Sequence, residues 1–344
     1  MMNDTLRTFM FAVCVSIFLA CEPPTQAIAP TRFHFEEIHM GAKVKITLYA
    51  HHEVHATSAA RAAFDEIAAW DMALSDYMAD SEVSKLPTLA NQPVKVQGRL
   101  SKAIAKSLEF NHSSSGAFDC ALGRLSKVWR AAFRESSMPS DAVIADALNH
   151  SGCAHMHWNE PTHTVTFDIA DIQFDFGAIG QGLAADAAMQ VLRTRDITCA
   201  LIDISGDILA SDAPPQSSGW VVQVDPEFQS EQPRIIYLRN QALCVSGDRG
   251  QPGHINEKTL SHILDPKNGR PIESPRQAMV IANDATTADA IATIACVMRV
   301  EQLKDFAKKF PSVTIAIERL PHDGGIQTLA PVTMSTALPH EITP

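Results

Sequence analysis

The chain has 344 residues, 46% of them apolar and 19% charged, enough for one large domain or two modest ones. Its 39 acidic and 28 basic residues leave a formal net charge of −11, which argues against nucleic acid or an anionic membrane surface as a partner. Seven cysteines with no C-x-x-C pair read as buried thiols rather than a disulfide framework or a thiolate metal site.

The first residues read as a targeting segment. Arg7 supplies a positive start, and FMFAVCVSIFLA is an apolar run too short to span a bilayer comfortably. Ile17-Phe18-Leu19-Ala20-Cys21 resembles a bacterial lipoprotein cleavage site, with small Ala20 before Cys21. An ordinary secretory signal cut near Ala27 or Ala29 is the alternative. On the first reading 1–20 is a signal peptide, Cys21 is lipidated and 21–32, with EPPTQAIAPT, is a tether. A domain then covers 33–330, and 331–344 is a tail. Glu22 leans towards retention on the inner membrane, facing the periplasm.

Residues 33–49 alternate as a strand around Val44, Ile46 and Leu48. Ala60, Phe64, Ile67 and Leu74 mark one face of a helix, and further helices are expected over 99–111, 121–134 and 141–150. Val165, Phe167 and Ile169 alternate before Ala170-Asp171, and Ile172, Phe174 and Phe176 alternate after it, which predicts a hairpin over 163–176. More strands are expected at 198–204, 219–224, 234–239, 241–246 and 277–283, with a surface loop at 211–219. Asp284 is placed to cap a helix running to Met298. This mixed order points to an α+β fold, one domain with two lobes.

Gly177, Gly180 and Gly182 follow the strand-like IQFDF and precede a helical pattern at Ala184, Ala188 and Val191. A helix N-terminus behind glycines favours anions. The order G-x-x-G-x-G, however, is not the dinucleotide fingerprint, and a purely structural turn is an equal alternative. Four other stretches stand out: GAFDCALGRLSKVW, LIDISGDIL, CVSGDRG with LSHILDPKNGRP, and ATTADAIATIACVM. Each also has a plain reading. Asp119 and Asp284 could be helix caps, Asp265-Pro266 with Asn268-Gly269 a turn, and His262 a surface histidine. Asp289 and Thr293, four apart on one helix face, could be its polar side or two hard oxygens for Mg²⁺.

In this order the motifs resemble the ApbE-type FAD:protein FMN transferases. HMGAKVKITLYA, SDYMADSEVSKL, GAFDCALGRLSKVW, DFGAIGQGLAAD, ISGDI, VSGD, SHILDP-x-x-G-x-P and ADAIAT are similar to that family's segments over residues 33–320. The resemblance implies a T-fold-related α+β domain with mixed or antiparallel sheets and a FAD cleft. It implies that Met40, Tyr77, Ala117, Phe118, Asp119, Asp175, Gln181, Ser246, Gly247 and Ile263 contact FAD. The Ala178 carbonyl, Asp289 and Thr293 would hold Mg²⁺, and His262 would act as base. The implied reaction moves FMN from FAD to a threonine of an exported acceptor, such as a subunit of a membrane redox complex, and releases AMP. Four departures stand out: Gln181 replaces a charged residue, Leu183 an aromatic one and Ser205 a glycine, and no tyrosine follows Ser246-Gly247-Asp248. Two rival readings are a FAD pyrophosphatase and a non-catalytic flavin- or metal-binding lipoprotein. The second would use His150, His155, His157 and His163, which otherwise read as solvated hairpin histidines.

Overall fold

Alternation along 33–49 turns out to belong to two strands. Thr31–His39 (β1) and Ala42–Ala50 (β2) pair antiparallel, with His39 opposite Ala42. Met40 and Gly41 both take positive φ, 53° and 68°, the geometry of a two-residue turn matched to strand twist. The computed structural model describes residues 29–224, 234–248, 253–256, 258–272 and 276–319. The expected signal peptide, Cys21, most of the tether and the tail at 331–344 lie outside these residues. Among the described residues no helix is long and apolar enough to cross a membrane.

After β2 the chain runs through Glu53–Leu74 (α1), Val94–Lys95 (β3), Gly98–Ser113 (α2), Gly123–Glu135 (α3) and Asp141–Asn149 (α4). Met156–Asn159 (β4), Thr164–Phe167 (β5), Gly180–Thr194 (α5), Ala200–Ile204 (β6) and Asp207–Ala210 (β7) follow. Trp220–Val224 (β8), Arg234–Leu238 (β9), Gln241–Gly247 (β10), Gly253–Ile255 (β11) and Lys258–Leu260 (β12) come next. The last elements are Leu264–Asp265 (β13), Arg270–Pro271 (β14), Arg276–Ala282 (β15), Ala285–Val297 (α6), Val300–Ala307 (α7) and Thr314–Arg319 (β16).

The main sheet has the order β1-β2-β6-β7-β10-β15-β16, with every neighbouring pair antiparallel. Period-two side-chain alternation gives it two apolar faces. Ala242, Cys244, Ala278 and Val280 join the large core shared with α1, α5 and α6. Leu243, Met279 and Ile281 point the other way, onto Trp220, Val222 and Leu238 of the β8–β9 ribbon. A smaller core of Leu122, Leu125, Trp129, Ala132, Ile144, Ala147 and Ile255 gathers α3 and α4 with β11. Trp129 Nε1 donates to Gly269 O at 2.8 Å and so pins α3 to the β13–β14 turn. The fold is α+β and two-lobed, as the element order implied.

The expected hairpin over 163–176 does not form. β5 pairs with β4 before it and with β3, so its partners precede it in sequence. Residues 172–176 keep the expected burial, with Ile172, Phe174 and Phe176 all buried. Their backbone instead meets the 120–123 loop, where Gly123 N donates to Gln173 O at 2.9 Å and Asp175 N to Cys120 O at 2.8 Å. A side chain at Gly123 would place its Cβ 2.5 Å from Phe174 O, so this close approach needs glycine. The departures at 183 and 205 have local causes. Leu183 is a fully buried core residue, and Ser205 sits at φ 55° in the tight turn between β6 and β7. Cys120, Cys153, Cys199, Cys244 and Cys296 are all free thiols, with the Cys120 and Cys153 sulfurs 3.7 Å apart.

Candidate active site

A cleft of about 430 Å³ opens between the two lobes. Ten of the fourteen site residues implied by the family resemblance line it: Tyr77, Ala117, Phe118, Asp119, Asp175, Ala178, Ser246, His262, Ile263 and Thr293. Leu122, Trp129 and Phe133 add an apolar wall from the smaller lobe. Met40, Gln181, Gly247 and Asp289 do not line it. Met40 packs behind the cleft against Gly180, and Asp289 lies buried at 4% exposure one helical turn below Thr293.

Asp119 is not a helix cap, since α3 begins after Leu122. Its carboxylate accepts from Ala121 N at 2.8 Å and from Cys153 N at 2.9 Å, and burial raises its pKa despite these bonds. Asp284 is the expected cap, accepting from Thr287 N at 2.8 Å.

The glycine turn has a specific use. Gly182 N, in the first turn of α5, donates at 3.0 Å to Asp289 Oδ2 on α6, so a protein carboxylate takes this N–H. Gly182 is glycine because a Cβ there would sit 2.5 Å from Ala285 O. Burial, then the Asp207 carboxylate, raises the Asp289 pKa well above the usual range, while the Gly182 N–H opposes this and Asp186 adds to it. None of these influences is a cation. Asp289 is a buried carboxylate held by one N–H, Thr293 lies one turn along the same helix, and Thr293 and Ala178 both line the cleft; carboxylate, hydroxyl and carbonyl oxygens are the donor types Mg²⁺ takes. Thr293 Oγ1 and Ser246 Oγ are 3.1 Å apart, so Ser246 meets the same group.

His262 has a partner that sequence reasoning missed. Asp248 Oδ1 is 3.2 Å from His262 Nδ1, and it also accepts from His262 N at 3.1 Å and Ser261 Oγ at 2.6 Å. Asp248 is only 4% exposed, so these contacts fix it beneath the imidazole. With Nδ1–H directed at the carboxylate, Nε2 is left to accept a proton. The signal was the Asp of VSGD, fourteen positions before the histidine with no periodicity linking them. Three of the four histidines of 150–163 have separate partners. His150 Nδ1 meets Asp146 O, His157 Nε2 meets Asp168 Oδ1 and His163 Nδ1 meets Ser101 Oγ. Among the described residues no group of three or more His, Cys, Asp or Glu is placed to hold a metal.

A family model described as the ApbE family matches residues 40–317. This chain belongs to the ApbE family. A FAD:protein FMN transferase of Treponema pallidum is 28% identical over 297 residues, covering 80% of this chain and 82% of the relative. One of Klebsiella pneumoniae is 26% identical over 274 residues, covering 78% and 84%. The ApbE protein of Thermotoga maritima superposes with a TM-score of 0.76 at 25% identity, covering 87% of this chain and 97% of that one. The flavin transferase ApbE of Vibrio cholerae gives 0.74 at 21% identity, covering 89% and 98%. The α+β fold with its antiparallel sheet is therefore this family's fold.

Proposed function

We propose that this protein is a Mg²⁺-dependent FAD:protein FMN transferase that joins FMN to a threonine of an acceptor protein. The observation that carries this reading is the meeting, in one cleft, of the carboxylate-oriented His262 imidazole with Ser246, Ala178 and Thr293, the last one helical turn from buried Asp289. The relatives' activity supports it. The apolar wall of Leu122, Trp129 and Phe133 suits a planar ring system.

In the reaction the acceptor threonine oxygen attacks the FMN-side phosphorus of FAD. The new O–P bond forms as the bond from that phosphorus to the bridging oxygen breaks, and AMP departs with the bridging oxygen. His262 Nε2 takes the hydroxyl proton, while Asp248 holds the ring and stabilises its positive charge. Asp289, Thr293 and the Ala178 carbonyl would hold Mg²⁺, which when bound neutralises pyrophosphate oxygens. We further propose, from the first twenty-one residues, that the protein is exported and lipid-anchored at Cys21 on the inner membrane, facing the periplasm.

Incubation with FAD, MgCl₂ and a threonine-bearing acceptor domain, read by intact mass, tests the activity. The expected result is an acceptor heavier by one FMN, with AMP released. Free FMN without modified acceptor would replace the transferase reading with a pyrophosphatase. His262→Ala should bind FAD yet lose transfer, and Asp289→Ala should lose Mg²⁺-dependent AMP release while still folding.

A further inference from the structure

At the mouth of the cleft one guanidinium holds three groups from two other segments. Arg130, on α3, donates from Nη1 to Asp76 Oδ2 at 2.5 Å and from Nη2 to Asp175 Oδ2 at 2.8 Å. Its Cζ lies 4.4 Å from the centroid of the Tyr77 ring. Asp76 and Tyr77 belong to the loop after α1, and Asp175 to the extended segment leading into α5. The other Asp175 oxygen, Oδ1, accepts from Gly177 N at 2.9 Å, immediately before Ala178. A continuous chain of contacts thus runs from an aromatic ring at the cleft mouth, through Arg130 and Asp175, to the turn that carries the Ala178 carbonyl.

We infer that Arg130 is a positioning residue that sets the Tyr77 ring for the flavin and the Asp175–Gly177 turn for the pyrophosphate and its metal. The inference rests on the FAD-cleft reading above. Tyr77 is 77% exposed, and the Arg130 guanidinium lies over its ring. A ring already held in place loses less freedom when a second planar group stacks on it. Arg130 is also the only Arg or Lys lining the cleft among the described residues. Both carboxylates engage it, so its charge serves chiefly to let Asp76 and Asp175 coexist beside an anionic ligand. Without it they repel each other and the phosphates together. Lysine cannot replace it, because one ammonium does not present a planar fork to two carboxylates while lying flat on a ring.

The test uses full-length protein and two readouts independent of turnover. FAD binding is followed by flavin fluorescence polarisation at saturating MgCl₂, and metal binding by the MgCl₂-dependent rise in melting temperature without flavin. Arg130→Ala is expected to weaken FAD binding about tenfold, in line with a lost cation–π contact and lost carboxylate pairing. It should also raise the MgCl₂ needed for the half-maximal melting shift. Arg130→Lys should recover the MgCl₂ response through Asp175 but not FAD binding. Tyr77→Ala should lose FAD binding alone and keep the MgCl₂ response. A purely structural salt bridge would give both substitutions at Arg130 the same loss in both readouts, and that pattern overturns the inference. So does unchanged FAD binding in Arg130→Ala. If Arg130→Ala does not fold, Arg130→Lys decides alone: lost FAD binding with a kept MgCl₂ response supports the inference, and loss of both readouts or of neither overturns it. Failure of the unmodified protein to bind FAD overturns the transferase reading instead, so the two failures are distinguishable.

Discussion

Replacing Gly182 by alanine separates two accounts of the glycine-rich turn. If the glycine serves helix packing, the added Cβ meets Ala285 O at 2.5 Å and Thr286 Cα at 2.7 Å, both backbone atoms that cannot rotate away. Restoring ordinary contact requires α5 and α6 to part by roughly 1 Å. Overpacking of this kind costs about 1–3 kcal/mol. The same displacement stretches the 3.0 Å bond from Gly182 N to Asp289. Losing a hydrogen bond to a buried carboxylate costs about 1.5–3 kcal/mol more. Alanine returns about 1 kcal/mol through its helix propensity. The net expectation is a loss of about 1.5–5 kcal/mol. Urea unfolding followed by circular dichroism measures it as a lower midpoint at unchanged slope. If the glycine instead admits a phosphate, Gly182→Ala keeps full stability and loses only FAD affinity. That outcome would refute the packing account.

Two further substitutions probe carboxylates. Burial, the first cause, pushes Asp207 from 3.8 up to about 6, against a weak bond from Val245 N at 3.2 Å. A raised folded-state pKa means that its stability contribution is complete below about 3.8 and lost as pH rises through about 6. Asp207→Asn should therefore gain up to about 3 kcal/mol at pH 7.5 and nothing at pH 3.5, measured by urea titration at both. An equal gain at both pH values would contradict burial as the cause. Asp248→Asn keeps the shape beneath His262 but removes the charge that stabilises a protonated ring. It should lower AMP release at least about tenfold while leaving FAD binding intact, and an unchanged rate would remove Asp248 from the mechanism.

What the sequence disclosed depended on whether the signal was local. The Asp284 cap of α6 and the Asp265–Gly269 turn are encoded within a few residues, and both appear where expected. The β1–β2 hairpin was hidden because both strands alternate and the turn between them is Met40-Gly41, with a methionine at positive φ where Asn or Asp is usual. The false hairpin at 163–176 arose because period-two burial reports a half-buried extended chain and not its partner. Residues 172–176 have that burial while bonding a loop, and β5 has it while bonding β4. Family motifs located the cleft lining. Contacts across long separations stayed invisible. Asp248 under His262 and Arg130 between Asp76 and Asp175 link segments 14 to 54 residues apart, and no spacing rule connects them.

The charge of the cleft accounts for why its parts must act together. Asp119 and Asp175 line it, Asp76 backs Arg130, Asp248 lies under His262 and Asp289 under Thr293. Against these carboxylates the described lining offers Arg130, already engaged twice, and His262. A pyrophosphate ligand entering this field without a cation is repelled, whereas a divalent ion held at Asp289 reverses the local potential. The same ion would relieve a buried carboxylate that has no cationic partner among the described residues. Binding of metal and dinucleotide should therefore be mutually reinforcing. MgCl₂ should tighten FAD binding, and FAD should lower the MgCl₂ needed for the melting shift by the same factor. Independent binding of the two, seen in a matrix of FAD titrations at stepped MgCl₂, would separate the carboxylate of Asp289 from the pyrophosphate and leave this electrostatic argument without its central contact.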